Sequence, residues 1–201
     1  MKQKKIQYSG FIYSIAALSG LIVIWQAVVL FSGVPRFILP PPALVYIAFV
    51  ENWRLIADHG LVTFTEVILG LIIGISLGIT TALQLEMSPT ARLFLRPILV
   101  FSQAIPVFAL APVLTLWLGY GLISKVTMAV LIIYFPVTSA FFDGLRKTPS
   151  GLLDLATVMQ ATELRTLFYL KIPAAMPSLL SGIRLAAVYA PIGATIGEWV
   201  G

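Results

Sequence analysis

Residues 61–85 read LVTFTEVILGLIIGISLGITTALQL. In these 25 residues Glu66 is the single ionisable group. As a helix rising about 1.5 Å per residue, the stretch is long enough to cross the roughly 30 Å of hydrocarbon in a bilayer. Gly70, Gly74 and Gly78 recur every fourth residue along it, a stripe that lets a membrane helix approach its neighbours closely. Gly193, Gly197 and Gly201 repeat the pattern near the end of the chain. Packing, rather than ligand binding, is the expected role of both stripes.

The rest of the chain agrees with a membrane reading. Of its 201 residues 59% are hydrophobic and only 10% charged, with a mean hydropathy of +1.00. A soluble domain carries about a quarter charged residues and cannot hide so much apolar surface. Further spans are expected at 11–31, 97–120, 126–142 and 177–200. The basic start MKQKK could head a signal peptide, but the apolar run behind it is too long and more spans follow, so it reads as an uncleaved first span. The predicted fold class is therefore all-α, a polytopic transmembrane helical bundle forming one membrane domain over 1–201. Between spans one and two, Pro42 opens a helix too short to cross, which with Trp53 and Arg54 is expected to lie on the outer surface.

Charge then sets orientation. With the N-terminus in the cytoplasm, Lys2, Lys4, Lys5, Arg92, Arg96, Arg146, Lys147, Arg165, Lys171 and Arg184 fall inside, and Arg36, Arg54 and Lys125 outside. Ten against three obeys the positive-inside rule, so topology accounts for the net charge of +5 and no nucleic acid is implied. Without cysteine, and with His59 the only histidine, there is no disulfide framework and no Cys/His metal site.

The loop 143–172 is different in texture. Its stretch 152–168, LLDLATVMQATELRTLF, mixes polar and apolar residues at helical spacing. Thr148 and Pro149 can start a helix that places Leu152, Leu155, Ala156 and Met159 on one face. Thr162 and Glu163 read as a second cap, followed by Leu164, Leu167 and Phe168. Two short helices meeting near Gln160 and Ala161, and ended by Pro173, are expected. Such a pair could lie on the inner lipid surface. The acidic Asp154 and Glu163 beside Arg165 instead favour a docking surface for a cytoplasmic partner.

This segment resembles the EAA loop of the permease subunits of ABC importers: Glu-Ala-Ala, three residues, Gly, nine residues, Ile, one residue, Leu-Pro. Counted back from Ile172 and Pro173, the acidic position falls on Asp154, the second alanine on Ala156 and the glycine on Gln160. IPAAMP at 172–177, SGIR at 181–184, QAIPVFALAP at 103–112 and LWLGYG at 116–121 are similar to the family's runs, so the resemblance covers nearly the whole chain. YFPVT at 134–138, AFFDGLR at 140–146, APIGA at 190–194 and GEW at 197–199 resemble the branch serving nitrate, sulfonates, taurine and thiamine precursors, most of all permeases for hydroxymethylpyrimidine-type precursors. Two positions depart from the loop pattern. Leu155 replaces the first alanine, and Gln160 replaces the glycine. Because glutamine disfavours positive φ, either the turn has ordinary helical angles or the motif is degenerate here.

The resemblance implies a type I ABC importer permease fold and a coupling loop comprising Asp154, Ala156, Met159, Gln160, Ala161, Thr162 and Pro173. It implies an ATP-binding subunit carrying ATP and Mg, an extracytoplasmic solute-binding protein, and a second permease copy in the inner membrane. It also implies six spans, so a sixth is expected to be missing after Gly201. A membrane scaffold recruiting a cytoplasmic partner is the rival of another class. A secondary transporter would want paired deep charges or repeat symmetry.

Within the membrane, Ser102, Gln103 and Pro106 interrupt span three. They could mark a simple kink or line the translocation pathway. Glu198 is a further pathway candidate. Glu66 could line the same mouth, but is expected to reach the headgroups, and Arg184 to anchor the cytoplasmic end of its helix. No Ser-His-Asp set, HExxH or carboxylate pair on a helix face appears, so no catalytic site and no resident cofactor are expected on the chain.

Overall fold

The computed structural model describes residues 2–200, with side chains described from Tyr13 onward. Gly201 and the side chains of Lys2, Lys4, Lys5 and Phe11 lie outside the described residues. Among those described, every regular element is helical. The chain divides into two compact units, residues 1–59 and 60–201.

The first unit holds α1 (Lys2–Phe31) and the short α2 (Pro42–Glu51), and it ends within α3 (Trp53–Met87). Large apolar side chains on α1, among them Leu18, Leu21, Val23 and Leu30, are exposed, as lipid-facing residues would be. Pro42 sits at the first helical position of α2 behind Pro41, where its missing N–H costs no intrahelical bond. The ten residues of α2 are too few to cross a bilayer.

The second unit continues with α4 (Pro89–Ser102), α5 (Val107–Leu118), α6 (Leu122–Arg146), α7 (Ser150–Val158), α8 (Glu163–Thr166), a π-helical turn at Leu167–Lys171 and α9 (Ile172–Val200). Its core is organised on α6. A Cβ at Gly70, Gly74 or Gly78 of α3 would come within 2.7, 2.6 and 2.8 Å of side-chain atoms of Ala129, Ile133 and Val137. From α9, Gly182 meets Ala140, Gly193 meets the Cα of Ala129 and Gly197 the Cα of Lys125, again with no room for a methyl group. Gly193 and Gly197 of the stripe expected on span five are thus the C-terminal part of a longer one on α9, which takes in Gly182. Ala175, Ala186, Ala190 and Ala194 of α9 are all fully buried, a face of small residues suited to close helix packing.

Two expectations are corrected by the backbone. The predicted span 97–120 is not one helix: α4 and α5 meet at a 102° bend. Pro106 has no N–H to continue the ladder and is the N-cap of α5, and the amides of Gln103 and Ala104 close tight turns onto Val100 and Phe101. Neither piece alone is long enough to span hydrocarbon, and a pair bent this sharply has the geometry of a broken crossing or of a re-entrant loop. Pro173, expected to end the loop helices, does not. The helix runs on from Glu163 to Val200. In the π turn the amide of Ile172 bonds to the carbonyl of Leu167, five residues back. That widened turn moves the preceding carbonyls away from the proline ring, so helix and proline coexist. Thr148 does not cap α7 either. Its hydroxyl donates to the carbonyl of Leu145 at 2.9 Å, closing α6.

The contact of Gly193 with backbone, which cannot move aside, sets a measurable contrast. Gly193→Ala is expected to destabilise the protein in detergent by about 1–3 kcal/mol. Gly60→Ala, where nothing lies within 4 Å, is expected to be neutral or stabilising by up to about 1 kcal/mol. Thermal unfolding of the two variants side by side checks both.

Candidate functional site

The loop between α6 and α9 folds into an elbow. After Val158 the chain leaves α7 through a Schellman turn: the amide of Ala161 bonds to Ala156 O at 2.9 Å and that of Gln160 to Thr157 O at 3.0 Å. This turn requires a left-handed residue after the cap, and Gln160 takes it, with φ of 53°. It is the one non-glycine residue with positive φ among the described residues. The glycine-type turn therefore survives without glycine, and the alternative of ordinary helical angles at Gln160 is overturned. Thr162 then caps α8, its Oγ1 accepting from the amide of Arg165 at 3.3 Å.

The elbow presents a cleft on one side and an apolar tip on the other. Ala156 is buried, and with Ala161, Thr157 and Leu153 it lines a cleft of about 810 Å³. Leu155, Val158 and Met159 point outward, 52%, 81% and 72% exposed. The apolar face expected from spacing is thus split, Ala156 turning inward and Met159 outward. Asp154, Gln160 and Thr162 are also exposed. Pro173 stands apart, in the first turn of α9.

Across the cleft lies an ionic tie that charge counting missed. Glu86, at the end of α3, pairs with Lys171 of the π turn, and its second oxygen lies 3.7 Å from Arg92 of α4. Arg92 also donates from Nε to Leu85 O and from Nη2 to Glu86 O, both at 3.0 Å, closing the C-terminus of α3. The elbow's continuation is thereby fastened to α3 and α4 at one carboxylate.

Ser102, Gln103 and Pro106 are brought together along a second cavity, of about 590 Å³, at the α4–α5 break. Tyr134 of α6 and Tyr189 of α9 complete its polar lining, the other lining residues are apolar, and among the described residues no charged side chain borders it. Tyr134 donates from its hydroxyl to Thr81 at 3.0 Å. Glu198 does not line this cavity. It accepts the hydroxyl hydrogen of Thr63 on α3. Nor does Glu66 reach headgroups as expected. Its side chain is 1% exposed, with Lys125 Nζ 3.7 Å from Oε1, because Gly197 lets α9 lie against the backbone of Lys125 and close the site over. Arg184 is exposed. Among the described residues no three His, Asp or Glu side chains come close enough to hold a metal.

A bundle of long apolar helices, with a bent helix pair beside a cavity and an amphipathic elbow at one end, is an architecture suited to a helical membrane permease. The chain belongs to the family of binding-protein-dependent transport system inner membrane components, whose pattern matches residues 70–201. It is 49% identical over 181 residues to a probable ABC transporter permease protein of Haemophilus influenzae, covering 90% of this chain and 74% of that one. It is 40% identical over 182 residues to the riboflavin transport system permease protein RibX of Chloroflexus aurantiacus, covering 90% and 68%. To the formylaminopyrimidine transport permease protein ThiX of Halalkalibacterium halodurans it is 37% identical over 182 residues, covering 90% and 72%. The protein is thus a multi-pass type I importer permease, a transport rather than a catalytic subunit, of a class that works with a separate ATP-binding subunit and a binding protein.

The left-handed Gln160 yields a prediction of sign. Gln160→Gly is expected to raise thermal stability by about 0.5–1 kcal/mol, because it removes the Cβ clash of the turn. Gln160→Val is expected to lower it, a β-branched residue being a poorer fit to positive φ. Unfolding midpoints of the purified permease decide between these signs.

Proposed function

We propose that this chain is the translocating subunit of an ATP-driven importer for a small uncharged heteroaromatic solute of the thiamine-pyrimidine-precursor kind. Its N-terminus lies in the cytoplasm. Two copies pair in the inner membrane, take solute from an extracytoplasmic binding protein, and move it as ATP is hydrolysed with Mg on separate subunits.

The observation that carries the reading is the elbow. An apolar tip of Leu155, Val158 and Met159, followed by a fixed left-handed turn, is a compact knob for a groove on a soluble partner. Asp154, Gln160 and Thr162 would contact that partner, while Ala156 and Ala161 hold the turn closed and the π turn before Pro173 carries the helix on past it. Motion of the partner would reach α3 and α4 through Lys171, Glu86 and Arg92.

The solute class is supported by the cavity at the broken span. An anion such as nitrate, a sulfonate or taurine's sulfonate end would lose hydration there without a cation to meet it. Gln103, Ser102 and the two tyrosines instead offer amide and hydroxyl groups on apolar walls, suited to a flat ring with hydrogen-bonding substituents. Relatives named for formylaminopyrimidine transport and for riboflavin transport support the same choice.

Asp154→Lys and Met159→Glu, both exposed changes, are expected to abolish copurification of the ATP-binding subunit while leaving the permease inserted and monodisperse. Undiminished copurification in both variants would sink the elbow's proposed role and favour a scaffold that recruits some other protein. Gln103→Leu is expected to lower uptake of a labelled aminopyrimidine about tenfold, by removing one polar partner of the bound solute. Uptake of taurine in preference to the pyrimidine by the wild type would overturn the solute class.

A further inference from the structure

Three arginines gather on one phenylalanine at the elbow end of the bundle. The guanidinium carbons of Arg92, Arg96 and Arg146 each lie 5.8 Å from the centre of the Phe142 ring. No two of them can therefore be further apart than twice that distance. Phe142 is 4% exposed, so the ring is a fixed base rather than a mobile one. Aromatic attraction favours each cation singly, but three permanent like charges on one ring repel one another.

Only Arg92 has an anionic neighbour, Glu86, which it shares with Lys171. Arg96 and Arg146 are exposed and make no ion pair among the described residues. Asp143, one turn back on α6, borders a different recess with Lys147, Ser178 and Ser181. The cluster therefore has donors and positive charge in excess of the acceptors the protein supplies.

The surface next to it is apolar in a particular way. Arg92 and Arg96 line one half of an open groove along α4 with Pro89, Leu93 and Pro97, and Val100 and Phe101 form its far end; Leu93, Val100 and Phe101 are 70%, 60% and 73% exposed. A charged end and a greasy end along one membrane helix match an amphiphile in both parts. Basic recesses of this kind at membrane ends attract anionic headgroups. Guanidinium forks suit phosphate oxygens better than a point charge would.

We propose that Arg92, Arg96 and Arg146, gathered on Phe142 at the head of the α4 groove, bind the phosphate of an anionic phospholipid whose acyl chains lie over Leu93, Val100 and Phe101. The leaflet is the one beside the elbow, because Arg92 lines both the groove and the elbow cleft. Bound lipid would neutralise the cluster and steady α4, the arm leading to the broken turn.

The test uses the permease purified in mild detergent with its ATP-binding subunit. Native mass spectrometry counts retained lipid after exchange against equal phosphatidylglycerol and phosphatidylcholine. Wild type is expected to keep phosphatidylglycerol at least about tenfold over phosphatidylcholine. Arg96→Gln with Arg146→Gln is expected to reduce that preference by roughly tenfold to thirtyfold, the size expected for two lost basic contacts. Arg96→Lys with Arg146→Lys, which keeps the charge, is expected to retain most of the preference and so separates headgroup binding from a failure to fold. Arg54→Gln, in the first unit, is the unaffected control. A separate arm titrates inorganic phosphate onto delipidated complex, and only weak, salt-sensitive binding is expected. Equal retention of the two lipids by wild type, a preference untouched in the glutamine variant, or free phosphate displacing the lipid at low concentration would each overturn the proposal.

Discussion

The bundle depends on how closely α3 and α9 approach α6. Within lipid, burying a leucine against protein gains little over leaving it among acyl chains, so contact at short range has to hold the helices. Ala129 shows the arrangement most clearly. Gly70 of α3 meets its Cβ from one side and Gly193 of α9 meets its Cα from the other, neither with space for a methyl group. The same principle repeats along α6, with Ile133 and Val137 against α3 and Ala140 against Gly182 of α9. The central helix is thus fixed in depth and rotation by both neighbours, and the remaining elements are placed relative to it.

Against that rigid stack, the backbone departs from regular helix where the proposed mechanism needs it. At 103–106 the tight turns of Gln103 and Ala104 and the missing N–H of Pro106 separate α4 from α5 at a 102° bend and place polar residues along a cavity. Irregular backbone at membrane depth is tolerable only where protein or a cavity meets it. At Leu167–Lys171 a π turn carries the chain from the elbow into α9 without a break. At Gln160 one residue accepts a left-handed conformation so that α7 can stop and α8 can start within a few residues. Each departure is satisfied locally, by tight turns, a five-residue hydrogen bond or a Schellman pair.

The long apolar runs and the glycine spacing were legible in the sequence because both follow from periodicity alone. So was the elbow, since Thr162 and the mixed face of 152–168 announce two short helices. What periodicity cannot show is which carboxylate meets which cation. Glu86 reads as the polar end of a span and Lys171 as one more basic residue on the same side, and 85 residues separate them. Lys125 counted as an outer-side charge, yet it lies against Glu66 because Gly197 admits its backbone. The prolines were visible, but their effects were not. Pro106 stands between two helices, whereas Pro173, just after a widened turn, and Pro97, Pro112, Pro136, Pro177 and Pro191 all lie inside helices.

The ionic tie at Glu86 explains why an elbow of so few residues can matter to a cavity across the membrane. Its carboxylate holds Lys171, on the elbow's own continuation, and faces Arg92, near the start of α4. From Arg92 to Gln103 the chain runs along α4 for roughly 16 Å of helix, ending at the 102° bend. On the proposed function, a rigid arm joined to the elbow at one end and to a bent turn at the other would convert a displacement of the elbow into a change of angle at the cavity. The glycines of α3 pack on α6 with no room for a methyl group, which would leave the turn carrying Ser102, Gln103 and Pro106 to take up the movement.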